Sequence, residues 1–180
     1  MINLKDEIKK LQKVYNGQAD LKNKEYKLWK IPVCYDKQFG IDLDSLSLEK
    51  GLSISEIVAR HSQTNYTVYF IGFLPGFLYL GGLNDSLYMP RKATPRLKIE
   101  KGSVAIGGKQ TGVYPSESPG GWHIIGNTPI TFFDASKELP CFAKSGDVIR
   151  FYPVSLKEYE RVKVLVASGV YSLESEVLVD

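Results

Sequence analysis

The sequence predicts a mainly β domain: a small barrel or sandwich of short strands, with small helices and a short helix ahead of it. Three observations carry that reading. Residues 72–129 hold 11 of the 16 glycines and 6 of the 9 prolines, the punctuation of tight turns. Phe73, Phe77, Leu78, Tyr79, Leu80, Val104, Ile106, Trp122, Ile124 and Ile125 are threaded between those turns, so the segment has the apolar content of a core and not of a linker. Short β-branched and aromatic runs recur at close spacing with turn signals between them.

Taken in order, Leu4, Ile8 and Leu11 recur at i, i+4 and i+7, which predicts an amphipathic helix over 3–14 with Asn3 as its N-cap. Its stripe is expected to pack on the barrel or on a second copy, since an exposed apolar stripe invites association. Residues 16–25 read as a polar loop. KLWKIPVCY (27–35) reads as a strand that Pro32 places near an edge or bend. DSLSLEKG reads as a short helix ended by Gly51. A second helix follows over Ser53–His61, where Ser53 and Glu56 form a capping box. TNYTVYFIGF is a strand ending at Gly72. SVAIGG, QTGVYP, HIIGN, ITFFD and KSGDVIRFYPV follow as short strands. SLKEYERVKVLVA begins a helix with Ser155 and Glu158 as capping box, and YSLESEVLVD is a strand or a frayed tail.

Composition bounds the function. The 180 residues suit one domain with a small appendage. No apolar run approaches the roughly 20 residues of a membrane span. The N-terminus, MINLKDEIKK, has no apolar leader region, so a cytoplasmic location and no membrane partner are expected. Cys34 and Cys141 stand far apart, which fits buried thiols and neither a redox pair nor a metal site. Residues 1–30 carry eight Lys against four acidic groups, and the other 150 carry 15 basic and 16 acidic. The basic excess is therefore confined to the N-terminal segment, a solvated face and not a nucleic-acid surface.

The sequence lacks G-x-S-x-G, H-E-x-x-H, a phosphate loop and G-x-G-x-x-G. Ser118-Pro119-Gly120-Gly121-Trp122 reads either as an anion-binding nest of backbone N–H groups or as a tight turn whose Trp122 plugs the barrel. His61, at a helix end, either complements the helix dipole or serves as a proton donor or ligand contact. Arg91 and Arg96, each directly after a proline in PRKATPR, suit a fixed fork for carboxylate or phosphate. Gln110 and Thr111 follow a Gly-Gly turn and offer uncharged hydrogen bonds.

The runs HSQTNYTVYFIGFLPGFLYLGG, PRKATPR, GSVAIGGKQTGVYP and SPGGWHIIGNTP, in that order, resemble the allophanate hydrolase subunit 1 family. That family takes in the 5-oxoprolinase B subunit and KipI-type kinase inhibitors, and is also called carboxyltransferase subdomain C and D. The resemblance runs from about Ile31 to about Pro153. It implies a cyclophilin-like β-barrel over 31–180, with residues 1–30 a helix and linker left from a first domain. It implies one component of an ATP-dependent amide hydrolase, most directly the 5-oxoprolinase B subunit. Activity would then need C-like and A-like 5-oxoprolinase partners (the former also known as allophanate hydrolase subunit 2), with ATP bound in the assembled complex and no metal or prosthetic group. The same resemblance admits a KipI-type inhibitor of a histidine kinase, or an allophanate hydrolase or urea carboxylase type of carboxyltransferase domain. It favours His61 as proton carrier and Arg91, Arg96, Gln110, Thr111, Ser118, Gly120, Gly121 and Trp122 as substrate contacts. The arginines would hold the anion, and Gln110 and Thr111 would orient an amide. Asn127 stands where the family has arginine, and Ile99-Glu100-Lys101 replaces a V-P-A-like run.

Overall fold

Two of the helix signals read from the sequence, the Ser53–Glu56 capping box and the Gly51 stop, are made as expected. Ser53 Oγ accepts the Glu56 N–H at 3.2 Å while Glu56 accepts the Ser53 N–H at 2.8 Å, closing the capping box. Ser155 Oγ accepts the Glu158 N–H at 3.2 Å, but the Glu158 carboxylate turns to Arg161, so only half of that second box forms. Gly51 ends its helix in the left-handed region at φ 62°. These features belong to a computed structural model that describes residues 4–16 and 25–179. The expected N-cap Asn3, and residues 17–24 of the polar loop, lie outside the described residues.

The helices are α1 (Leu4–Asn16), α2 (Leu43–Lys50), α3 (Ile54–Ser62) and α4 (Leu156–Ala167). The strands are β1 (Glu25–Val33), β2 (Asn65–Ile71), β3 (Leu78–Gly81), β4 (Arg96–Ile99), β5 (Ser103–Gly107), β6 (Gln110–Val113), β7 (Ser118–Gly120), β8 (His123–Asn127), β9 (Val148–Pro153) and β10 (Ser175–Val179). Eight strands form one mixed sheet in the order β10-β1-β9-β2-β3-β6-β5-β8, with β1 and β9 parallel and the other pairs antiparallel. β4 and β7 form a separate two-stranded ribbon. Pro32 sits past Trp29, the last residue of β1 that β10 covers, so its missing N–H falls on a locally open edge.

Mainly β architecture with short helices is what the sequence predicts, but no strand ladder closes a barrel. The sheet curls back on itself through one isolated bridge: Cys34 and Asn127 exchange N–H···O bonds of 2.9 and 3.0 Å. The closure stays that short because the chain leaves β1 into the turn at Asp36–Gly40. β3, β4 and β7 carry too few residues for an alternation that the sequence could show. ITFFD forms no strand: Ile130 and Phe132 are buried, yet their backbone pairs with no ladder.

Alternation along the strands sorts the apolar residues into two layers. Val104, Ile106 and Ile125 face inward with Ile31, Val33, Ile57, Leu80, Ile149 and Phe151. Ala105, Trp122 and Ile124 face outward, where they join Phe77, Ile99 and Tyr114 in a second cluster. Strand β1 is tied to the turn ahead of β9 by Asp147, which accepts from the Lys27 and Lys144 backbone N–H and from Trp29 Nε1–H, each at 3.0 Å. Helix α1 buries none of its residues: Leu4, Ile8 and Leu11 are 72, 46 and 69% exposed. The stripe is therefore not covered by the barrel, as one of the two expectations had it.

Gly76 shows how the outer layer depends on turn chemistry. Its φ is 81°, and a Cβ there would lie 2.6 Å from Phe133 Cβ and 2.9 Å from the Phe132 carbonyl oxygen. Gly76→Ala is expected to cost about 2 kcal/mol or more, the left-handed penalty plus displacement of the 132–133 backbone. Gly108→Ala, at φ 65° with nothing within 4 Å of the added Cβ, is expected to cost about 1 kcal/mol. Urea unfolding of the two variants checks the difference.

An aromatic cup as candidate functional site

The segment Gly72–Phe77 is a pair of fused turns. The Leu74 N–H donates to the Gly72 carbonyl at 2.8 Å across Phe73, whose φ is 67°. That is a γ-turn of the rarer, strained hand. The Phe77 N–H donates to the Leu74 carbonyl at 3.0 Å around Pro75 and Gly76, the residue pattern of a type II turn. Phe73 is the one non-glycine residue with positive φ among the described residues, and its ring is 63% exposed. Strain of this kind, of order 1–2 kcal/mol, persists only where surrounding contacts fix it.

The turns deliver Phe73 and Phe77 to a continuous set of ring contacts. Phe77 meets Phe73 at 5.5 Å, Tyr79 at 5.1 Å, Tyr114 at 5.7 Å and Trp122 at 5.6 Å, all near edge-to-face. These five rings, with Pro95, Pro119, Gly120, Gly121 and Arg91, line a cavity of about 300 Å³. A side chain at Gly120 would run into the Tyr114 hydroxyl, so only glycine lets β7 approach there. The Arg91 guanidinium lies over the Trp122 ring, 5.6 Å from its centroid. Burial raises the Tyr114 phenol pKa, more than the Trp122 N–H, Arg91 and Arg96 lower it, so the hydroxyl stays protonated at neutral pH.

The loop that carries Arg91 is pinned from four sides. His123 Nε2–H donates to the Pro90 carbonyl at 2.9 Å, a carbonyl being able only to accept. The Lys92 N–H donates to the Gly121 carbonyl at 2.7 Å. Strand β4 pairs with β7. The fourth hold is Asp42, 4% exposed at the head of α2. Arg96 grips its carboxylate as a fork, at 2.8 and 2.7 Å, Lys92 Nζ adds a contact at 3.0 Å, and the Ile124 N–H donates at 2.7 Å. Burial pushes the Asp42 carboxyl up, but Arg96, the Ile124 N–H and Lys92 outweigh it and hold its pKa below the ordinary carboxylate value.

The structure thus divides the residues read from the sequence. Arg91, Gly120, Gly121 and Trp122 share the cup. Arg96 does not join them: its fork is spent on Asp42, and it lines a separate cavity of about 260 Å³ with Ser103 and Asn127. Ser118 Oγ is buried with no hydrogen-bond partner among the described residues. Gln110 pairs with Gly107 on the β5–β6 hairpin and is half-buried outside the cup. Asn127 does not open an anion site. Its Nδ2 donates to the Lys101 carbonyl at 3.1 Å, and its Oδ1 accepts the Tyr159 hydroxyl at 2.9 Å, tying β8 to α4.

His61 and Thr111, read from the sequence as proton carrier and amide contact, lie in the inner core, both fully buried and outside the cup. The Thr111 hydroxyl donates to the Ala105 carbonyl at 3.0 Å, so Oγ1 is left to accept from His61 Nε2–H at 2.8 Å. His61 Nδ1 then accepts the Tyr35 hydroxyl at 2.7 Å, and the imidazole stacks on Phe151 at 4.8 Å. Every polar atom of the ring is used, and burial drives its pKa down to about 3, so it stays neutral. The residues that sequence reasoning missed are Asp42 and Tyr114. Tyr114 stood inside the GVYP motif, whereas nothing around Asp42 in the sequence marks it.

Two pH effects follow with opposite residue types and the same sign. The folded pKa of His61 lies below its ordinary 6.5, so its contribution is full above about pH 6.5 and is lost as pH falls toward 3. Stability should drop by about 1.4 kcal/mol per pH unit in that window, and His61→Gln should remove that part of the slope in urea titrations. Asp42 contributes above its ordinary value of 3.8 and loses its contribution as pH falls below it through the lowered folded value. Asp42→Ala is expected to cost about 2–4 kcal/mol at pH 7, because Arg96 and Lys92 lose a shared buried partner.

Residues 1–143 match the family described as carboxyltransferase domain, subdomain C and D. The curated 5-oxoprolinase B subunit of Bacillus subtilis (strain 168) is 44% identical over 133 residues, which cover 74% of this chain and 55% of that protein. This chain therefore spans about half the length of that relative. The crystal structure of a conserved uncharacterized protein from Pyrococcus horikoshii superposes with a TM-score of 0.71 at 40% identity, covering 84% of this chain and 66% of the other. The urea amidolyase of K. lactis gives a TM-score of 0.80 over 99% of this chain and 13% of its own, at 20% identity, which shows the fold alone. The family match takes in every segment that lines the cup, and the chain belongs to the carboxyltransferase subdomain C and D family.

Proposed function

We propose that this chain acts as the B subunit of a 5-oxoprolinase, with the aromatic cup forming one wall of a substrate site that partner proteins complete. The observation that carries the reading is the 44% identity to a curated 5-oxoprolinase B subunit, within a family match that includes the whole cup. The cup's chemistry supports a binding role and not a self-sufficient catalytic one. Its lining holds one guanidinium, two phenols and no carboxylate, imidazole or amine. His61 is buried in the core, outside the cup, with its pKa driven down by burial. Opening a lactam requires a group to activate the nucleophile and a group to stabilise the developing oxyanion. The cup's residues include hydrogen-bond donors but no group to activate the nucleophile, so that role, together with the ATP-dependent step, is assigned to partners of the C-like and A-like kind. The rings exclude water and orient the substrate by its flat face, while Arg91 holds the carboxylate.

The test is copurification of this chain with the products of neighbouring genes, followed by assay of 5-oxoproline hydrolysis with ATP. The chain alone is expected to be inactive and the complex active. Arg91, exposed in this chain, is expected to be covered in the partner-completed site, and Arg91→Ala is then expected to lower kcat/KM by about 30-fold or more through the loss of the carboxylate's charge partner. A complex that assembles and hydrolyses no 5-oxoproline contradicts the proposal.

A further inference from the structure

Helix α1 is amphipathic and buries none of its residues. Leu4, Ile8, Leu11 and Tyr15 fall at i, i+4, i+7 and i+11 on one exposed face. A 13-residue helix left to itself is marginal in water, so α1 depends on a surface that covers this stripe. The chain also holds an apolar trough far from the cup. Residues 130–142, the end of α4 and residues 169–173 enclose a cavity of about 590 Å³, walled by Trp29, Leu139, Pro140, Phe142, Val166 and Tyr171. Phe142 meets Trp29 edge-on at 5.0 Å, and Leu139 is 78% exposed. We propose that α1 of one copy lies in this trough of a second copy, and that two copies exchange their helices in a symmetric dimer.

Charge selects this pairing over the others that two copies could make. Helix α1 carries Lys5, Lys9, Lys10 and Lys13 against Asp6 and Glu7. The segments bordering the trough, 134–139 and 171–176, carry Asp134, Glu138, Glu174 and Glu176 against Lys137. Lys30 pairs with both Glu174 and Glu176, at 2.6 Å each. The helix is thus net positive, and the border of the trough is net negative even with Lys30 counted. Two α1 helices laid stripe to stripe would set lysine against lysine, and two troughs face to face would set carboxylate against carboxylate. Helix in trough brings opposite charges together, and anchors at i, i+4, i+7 and i+11 suit a helix seated in an apolar groove. The chain's own trough is not the seat, since no α1 residue lines it and the stripe stands in solvent. Nine peptide steps join Asn16 to Glu25, a tether of at most about 30 Å, so α1 can lean on a neighbour while β1 stays in its own sheet. The exchange is isologous: each copy gives one helix and accepts one, so the contact closes at two copies and leaves neither stripe nor trough open.

Light scattering behind a sizing column reads the mass of the full chain over a concentration series, and a monomer–dimer equilibrium is expected. Leu11→Asp on the helix and Leu139→Asp on the trough change exposed side chains, so the core should keep its near-ultraviolet circular dichroism. Each is expected to raise the dimer dissociation constant by about 30-fold or more, as the loss of a central apolar anchor does. Leu97→Asp, exposed on β4 and outside the pairing, is expected to leave that constant unchanged. The contact itself is read by mixing two differently tagged chains, one with Leu11→Cys and the other with Leu139→Cys, both carrying Cys141→Ser. Mild oxidation is expected to join the two tags through a disulfide. A chain that stays monomeric throughout the series overturns the proposal, whether it remains free or sediments with anionic lipid vesicles as a basic amphipathic helix can. A dimer that survives Leu139→Asp overturns it by placing the helix elsewhere. A disulfide that forms only when both cysteines are on one chain overturns it by returning α1 to its own trough.

Discussion

The buried carboxylate of Asp42 is the constraint on which the outer half of the molecule depends. It draws in the Arg96 fork, the Lys92 ammonium and the Ile124 N–H, and so fastens the β4 loop to β8 and to the head of α2. A buried charge is tolerated only when paired and hydrogen-bonded, and this one has a partner on each side. The bonds of Pro90 to His123 and of Lys92 to Gly121 then fix the loop's path. Without Asp42, two cations would face each other on the loop with nothing between them. The aromatic cup would lose the wall that carries Arg91.

The inner and outer layers use polar groups in opposite ways. Inside, Tyr35, His61, Thr111 and the Ala105 carbonyl form a one-directional chain in which each hydrogen has a single acceptor. Such a chain holds α3 against the sheet and leaves nothing to bind a ligand. Outside, the rings of Phe73, Phe77, Tyr79, Tyr114 and Trp122 contact one another and stop short of filling the space between them, and the free polar groups are placed at its edge. The same four strands, β3, β6, β5 and β8, back both layers, which is why motif residues one position apart have unrelated tasks. Gln110 and Thr111 are one such pair, and Ala105 and Ile106 another.

Much of the fold was legible because its signals are local. The Ser53–Glu56 box, the Gly51 stop and the alternation in β2, β5 and β9 each rest on neighbours in sequence. The cup was legible in outline, since PRKATPR, SPGGW and the Gly72–Phe77 turns all rim it. What could not be read was long-range. Asp42 meets Arg96 across 54 positions, and no periodicity or spacing announces that pairing. For the same reason Arg91 and Arg96 looked like one fork, when a partner far along the chain had claimed one of them. His61 and Thr111 stood 50 positions apart in separate motifs, and only their shared burial shows that they serve each other. The closed barrel failed on a similar point, because its last join is a single Cys34–Asn127 bridge and not a ladder.

The central claim is that Asp42 binds Arg96 and leaves Arg91 free to face the cup. Double-mutant cycles in urea unfolding measure this directly, pairing Asp42→Asn once with Arg96→Gln and once with Arg91→Gln. The account predicts a coupling of about 2 kcal/mol for the Asp42–Arg96 pair and a value within about 0.5 kcal/mol of zero for Asp42–Arg91. Equal couplings, or the larger one with Arg91, would contradict it.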